Sequence, residues 1–283
     1  MRIRATVAAV SGALALSALV VPAAQAADAP SGKAAFSAAT ADGPATGTAT
    51  LNVTFSNMKV NNGKNIVVGT ATVINVPVTY TVTHPATMDV SEDNFASGPL
   101  IYHGTSVTSP DNEIISDDPA TCTATSTTTL SCKGTITIRP ADGDLFNSDA
   151  GTWNAGGLAI TQNGDSKTQG GLGTTKVQRY SKLTVNAGPE PVTKGRTVTI
   201  TGKLSRANWE DNAYHGYTGQ YVKLQFRKAG TSTYTTLKTI KTDSYGNLKT
   251  TATASVDGYW RYSFAGTSTT PAVSAAGDYV DVQ

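Results

Sequence analysis

Three groups of side chains in this sequence have the types and spacing to do chemistry. The first is Asp142-Gly143-Asp144-Leu145-Phe146-Asn147-Ser148-Asp149. It gathers three carboxylates and an amide oxygen in one acidic turn, and hard oxygen donors at that density suit Ca2+. Asp142, Asp144, Asn147 and Asp149 would be the ligands. The competing reading is a solvated turn, since turn chemistry selects the same residue types and the terminal glutamate of a helix-loop-helix calcium site is missing. The second group is the loop from Asn208 to Tyr221, with Trp209, Tyr214, His215 and Tyr217 among Asn, Asp and Gln side chains. Flat apolar rings beside amide and carboxylate groups can stack a sugar and fix its hydroxyls. Its alternative is structural: a loop this long needs a buried anchor to be ordered, and Trp209 could plug the end of a sandwich with the tyrosines covering it. The third group is Cys122 and Cys132, the two cysteines of the chain.

An even pair this close in an exported chain reads as a disulfide across a hairpin. Closing so small a loop contributes roughly 2.5–3 kcal/mol in the chain-entropy model. A redox or metal role is the weaker alternative, since the spacing is not Cys-x-x-Cys.

Enzymatic constellations are missing from the sequence. There is no Gly-x-Ser-x-Gly, and His84, His103 and His215 are scattered among turn residues, far from the nucleophile-base pairing that acyl transfer needs. Paired carboxylates such as Asp117-Asp118 sit beside Pro119 in a loop. The expectation is a protein that is not an enzyme and needs no cofactor beyond a possible Ca2+.

Arg2 and Arg4, an Ala/Leu/Val-rich run through Val21 and then Ala24-Gln25-Ala26 form the pattern of an export signal. The apolar run is short and broken by Ser11, Gly12 and Ser17, whereas a spanning helix needs about 20 apolar residues. Residues 1–26 are therefore expected to be a cleaved signal peptide, with the mature chain secreted and extracellular and holding no integral membrane segment.

Net charge near zero hides an asymmetry. Residues 27–175 carry 6 Lys+Arg against 13 Asp+Glu, and residues 176–283 carry 14 against 7. Such an imbalance concerns association rather than fold. It fits docking of the two halves, head-to-tail self-association, or contact of the basic half with an anionic polymer; two differently charged solvated surfaces is the plainer reading. Nucleic acid is a poor partner, because the basic residues are spread over several strands and an exported protein seldom meets DNA.

The elements that must position these groups are strands. Residues 27–50 are rich in Ala, Ser and Gly and read as a flexible leader, and no helical period of useful length is expected in the mature chain. From Leu51 onward the pattern is that of strands divided by Asn-, Asp-, Gly- and Pro-rich turns. Pro77 argues for an edge strand or a bulge within Val73 to Val82. Alternation of Tyr259, Arg261, Ser263 with Trp260, Tyr262, Phe264 marks a half-buried strand. An echo at Gly151-Thr152-Trp153, with Gly63 to Gly69 paralleling Gly195 to Gly202, suggests an internal duplication. Trp153 and Trp260 are expected core anchors. The boundary falls near Val177 to Ser181, where one strand running into the next would make a stiff joint.

About seven strands in about 100 residues fit an immunoglobulin-like sandwich. The lysine-glycine opener Lys194-Gly195, the turn Thr242-Asp243-Ser244-Tyr245-Gly246-Asn247-Leu248 and the late strand ending Phe264-Ala265-Gly266 resemble the bacterial Ig-like modules of exported and surface proteins. The whole layout also resembles small exported two-module proteins of Gram-positive soil bacteria. The resemblance implies a fold and a location and carries no catalytic residues. The expected organisation is all-β: two tandem Ig-like β-sandwiches, residues 51–178 with a disulfide hairpin and residues 179–283, basic. The expected function is a secreted binding or adhesion module contacting cell-envelope polysaccharide or an anionic wall polymer. A structural protein assembling through its oppositely charged modules is the alternative, as is a calcium-binding extracellular protein.

Overall fold

The computed structural model describes residues 31–42 and 49–283. The export segment 1–26 and part of the leader lie outside them. Ten strands precede the boundary: β1 (Thr54–Val60), β2 (Ile66–Val68), β3 (Ile74–Thr83), β4 (Phe95–His103), β5 (Asn112–Ile115), β6 (Thr121–Ser126), β7 (Thr129–Ile138), β8 (Gly151–Thr161), β9 (Ser166–Gln169) and β10 (Thr174–Arg179). Ten follow it: β11 (Ser181–Leu183), β12 (Asn186–Gly188), β13 (Thr197–Asn208), β14 (Ala213–Gly216), β15 (Tyr221–Lys228), β16 (Thr235–Lys241), β17 (Asn247–Thr253), β18 (Gly258–Phe264), β19 (Val273–Ser274) and β20 (Asp278–Val280).

In the first half the sheet β1-β3-β7-β6 faces the sheet β2-β10-β8-β4-β5, with β9 added beside β8. In the second half β13 joins β11, β12, β14 and β17, and it faces the sheet β16-β15-β18, whose β18 also pairs with β19 and β20. Both halves repeat one connectivity, in which the first, second and fifth major strands form one sheet and the third, sixth and seventh the other. That is the Ig-like arrangement. A parallel contact between an early segment and the end of each half recurs as well, β2 with β10 and, as a single bridge just past β20, Val192 with Val282. Trp153 on β8 and Trp260 on β18 occupy the corresponding strand, and both are buried. The glycine landmarks do not correspond: Gly63 precedes β2, whereas Gly195 opens the turn into β13.

Each core follows from strand alternation. Val76, Val78, Tyr80 and Val82 on β3 meet Ile136 and Ile138 on β7 and Trp153 on β8 in one cluster; Val198, Ile200, Leu224, Trp260, Tyr262 and Phe264 form the other. Cys122 and Cys132 are directly opposed on β6 and β7 and form the disulfide.

Two expectations are corrected. Residues 32–42 of the supposed leader form a helix, α1 (Gly32–Asp42). Alanine is a strong helix former, the Ser31 hydroxyl accepts from the Ala34 N–H at 3.2 Å, and Ala35, Phe36 and Ala39 give a narrow apolar stripe. That stripe packs on Ala96, Leu100, Leu158 and Ile160 of the outer face of β4 and β8, with Phe36 fully buried. Gly98 makes the notch, since a Cβ there would lie 2.3 Å from the Phe36 ring. Pro77, in turn, sits in an interior strand. It is tolerated because pairing of β1 ends at Val60 opposite Val78, so the missing N–H lies just past the neighbour's end. The bulge is in β1, where Asn57 takes φ 53° and the register shifts between Ser56 and Lys59.

Candidate functional site

The aromatic loop divides between two cores. Trp209 is 2% exposed and belongs to the core of the first half although β13, the strand it follows, belongs to the second. Its Nε1 donates to the Gly69 carbonyl at 3.0 Å, and its backbone N–H donates to Asn147 Oδ1 at 3.1 Å. The reading of Trp209 as a sugar platform is thereby corrected: the ring is a plug at the joint. Tyr214 packs against the same core, under the Lys182 ammonium at 3.5 Å from its ring centroid and edge-on to Tyr180. Burial, then the neighbouring Tyr180, pushes its hydroxyl pKa up. Tyr217 turns to the second core, edge-on to Phe264, with the Arg206 guanidinium 4.0 Å over its ring. His215 alone stays exposed, with Nε2 2.6 Å from Asp211 Oδ2.

The acidic turn faces the same joint. Asp144 Oδ2 accepts from the Arg139 N–H at 2.6 Å. The buried Asp149 accepts from the Phe146 N–H and from Asn112 Nδ2, both at 2.8 Å, and its carbonyl accepts from Trp153 Nε1. Asn147 donates its Nδ2 to Asn208 Oδ1 and its backbone N–H to Glu210. Among the described residues no three His, Cys, Asp or Glu side chains come together to hold a metal ion. Of the four oxygen donors read as calcium ligands, Asp142, Asp144, Asn147 and Asp149, those of Asp144 and Asp149 brace the turn and that of Asn147 holds it to the second half.

Only Tyr180 separates β10 from β11. Its N–H donates to the Val68 carbonyl at 2.8 Å and its carbonyl accepts from the Ala207 N–H at 2.8 Å, so the connecting residue is tied to both halves. Gln178 continues the clasp, accepting from Asn65 and donating to the Thr267 and Ser268 carbonyls. Arg179 is buried beside it, with Nε donating to the Ala207 carbonyl at 2.6 Å. Burial, and then the nearby Arg206, pushes its pKa down to about 10, so it remains a cation at neutral pH.

The arrangement best suited to a ligand lies elsewhere, on the outer face of β16-β15-β18-β20. Val222, Leu224, Trp260, Tyr262 and Phe264 point inward, so their neighbours point out. The register aligns Lys241 with Tyr221, and Thr239 with Lys223, Ser263 and Ser274. It also aligns Thr236 with Gln225 and Arg261, and Arg227 with Tyr259 and Tyr279. The side chains interlock across strands. Arg261 Nε donates to Gln225 Oε1 at 2.8 Å, and Gln225 Nε2 donates to Thr236 Oγ1 at 3.2 Å. The Arg261 guanidinium lies 3.7 Å over the Tyr234 ring centroid and that of Arg227 4.0 Å over Tyr259, whose ring packs 5.2 Å from Tyr279. Tyr221 is 69% exposed with Lys241 over its ring. Stacking of this kind fixes a guanidinium in place while leaving N–H edges free to bind.

These cations lack carboxylate partners. The ion pairs among the described residues are Lys33–Asp118 and Arg139–Asp117, and the histidine–carboxylate contacts are His103–Asp111 and His215–Asp211. Among the described residues, none of the 14 lysines and arginines after Thr175 has a carboxylate oxygen within 4.0 Å. The sequence reading missed this face. Its signal was present in the spacing Tyr221-x-Lys223-x-Gln225-x-Arg227 and Tyr259-x-Arg261-x-Ser263, a second period-2 pattern beside the apolar one.

Fold and face together define an all-β protein of Ig-like sandwiches that exposes a cationic, tyrosine-rich sheet face. No family model matches the chain, and no curated protein matches it. Among solved structures it is similar to dimeric latent PorU from Porphyromonas gingivalis, with a TM-score of 0.29 and 11% identity over 81% of this chain. The chain spans 20% of that protein's length. It is similar also to the D00-D0 domain of intimin, TM-score 0.27 and 14% identity over 79% of this chain and 98% of that one. For the D0-D1 domain of intimin the values are 0.26 and 15% over 80% and 98%. At these scores the likeness names neither a family nor a ligand, and the Ig-like assignment rests on strand order. No described helix is long and apolar enough to cross a membrane.

Proposed function

We propose that the protein is a secreted, non-enzymatic binding module that contacts cell-envelope carbohydrate or an anionic wall polymer through the outer face of β16-β15-β18-β20. The observation that carries this reading is the gathering of Lys223, Arg227, Lys241 and Arg261 with Tyr221, Tyr259 and Tyr279 across adjacent strands and with Tyr234 in the turn before β16. Aromatic rings and guanidinium groups held by neighbours need little ordering on contact, which lowers the cost of binding. The disulfide and the export-type N-terminus support an extracellular location.

The test is retention of residues 27–283 on purified cell wall, wild type against Tyr259→Ala. We expect retention by the wild type and at least tenfold less by the variant. A wild type that stays unbound in every buffer overturns the reading.

Self-association is the second reading, favoured by excesses of seven acidic and seven basic side chains in the two halves. It would appear as mass that rises with concentration and falls with salt in sedimentation.

A further inference from the structure

We infer that the ligand of this sheet face is a linear polyanion, a chain of phosphate or sulfate groups, rather than a neutral glycan. The inference rests on the reading above and names its ligand class. Three observations separate the classes. First, the face presents four cations, Lys223 and Arg227 on β15, Lys241 on β16 and Arg261 on β18, and none is in an ion pair among the described residues. A neutral sugar has no use for unneutralised charge, whereas an anionic chain supplies what the fold withholds. Second, the carboxylates flanking β18 and β20 are placed aside. Asp278 Oδ2 accepts from the Ala187 N–H at 2.6 Å, and Asp257 accepts from the Val282 N–H. Asp257 and Asp281 lie beside Tyr279 at one end of the face, so its middle rows are purely cationic.

Third, the guanidinium groups are aimed. Among the described residues Arg261 has only its Nε engaged, on Gln225, and Arg227 donates one Nη to the Thr231 carbonyl. Each keeps further N–H donors, and the tyrosine beneath it fixes the plane in which they point. Planar forks match phosphate and sulfate oxygens in pairs. Ser263 and Ser274, joined at 2.9 Å, and Thr239 lie in the row between the cations and can bind bridging oxygens. The cations are staggered over neighbouring strands about 4.8 Å apart and alternate residues about 6.7 Å apart, so an extended chain crossing the strands meets them in succession.

The probe is inorganic polyphosphate, titrated against residues 27–283 from 50 to 200 mM salt, with neutral dextran as the uncharged control. Four contacts on a flexible chain give a log–log salt slope of about −3, so affinity falls about 50-fold over that range. Lys223→Gln with Lys241→Gln removes two exposed charges and no packed ring. Each surface cation is worth about fivefold against an anionic partner, so this pair should weaken binding about 25-fold. Lys203→Gln with Lys249→Gln makes the same change of net charge on the opposite sheet, where both side chains are exposed, and should change affinity less than threefold.

Equal losses from the two pairs would overturn the face as the site and leave only a net-charge effect. Wall retention that resists salt and is competed by dextran but not by polyphosphate would overturn the polyanion class while the envelope reading stands. Tight polyphosphate binding without wall retention would do the reverse: the ligand class would hold and the envelope reading would fall.

Discussion

Replacing Trp209 with alanine separates a structural role from a binding role. The side chain is 2% exposed and lies in the core of the first half, with its indole N–H on the Gly69 carbonyl at 3.0 Å. Truncating a buried aromatic to alanine costs about 3–5 kcal/mol through lost transfer energy and the cavity left behind. Loss of the Gly69 hydrogen bond, about 1 kcal/mol net, falls within that range. Against a total stability of about 5–15 kcal/mol this is a large fraction. With a urea dependence of about 2 kcal/mol per molar, the midpoint should drop by about 1.5–2.5 M. The strands of the first half should then melt before those of the second, because the plug also couples them. The assay is urea unfolding followed by circular dichroism, with Trp153 and Trp260 fluorescence reporting each half. Wall retention measured under native conditions should stay within a factor of two of wild type. A Trp209→Ala protein that unfolds at the wild-type midpoint yet loses retention would refute the argument and restore the loop as the binding site.

Other substitutions test separate joints of the structure. Gly246→Ala should destabilise by about 3 kcal/mol or more in the same urea assay, since φ is +80° and a Cβ would lie 2.4 Å from the Leu204 carbonyl oxygen; a loss under 1 kcal/mol would contradict that packing. Phe36→Ala should release α1 from its notch, raising the rate of protease cleavage within residues 31–42 about tenfold or more. Unchanged protection would mean that other contacts hold the helix. Asp243 accepts from the Tyr245 and Asn247 N–H groups at 2.8 Å, and these bonds hold its carboxyl below the usual range. Its stabilisation is present above the unfolded carboxylate pKa of about 3.9 and is lost as pH falls through the lower folded value. Asp243→Asn should therefore flatten the stability profile below about pH 4, and an unaltered acid limb in pH-dependent melting would count against it.

The strands of this chain are legible because their side-chain period is two. Trp260, Tyr262 and Phe264 announce the inner face of β18, and the cysteine pair announces the β6–β7 hairpin. What a single strand cannot show is which other strands lie beside it. The row of Arg227, Tyr259 and Tyr279, with Tyr234 held under Arg261, comes from three strands and a turn brought together by register. The sequence left Trp209 open between an exposed platform and a plug because the covering group is distant: Gly69, which receives its indole, lies 140 residues earlier. The helix escaped notice because its buried stripe is only Ala35, Phe36 and Ala39, too narrow for a periodicity to stand out from an alanine-rich background.

The placement of Trp209 also bears on the order in which the molecule can mature. All ten strands of the first two sheets are complete by Arg179, yet Ala207 and Trp209 belong to that core. A chain emerging from its N-terminus would assemble every strand of the first half and still have an open hole at one end. The hole closes only when about thirty further residues have followed and the β13–β14 hairpin has swung back. The boundary at which strands can be cut apart is therefore not the boundary at which folding can stop. A fragment ending at Tyr180 would expose the apolar lining of Trp209's seat to solvent, to chaperones, or to the hairpin of another copy.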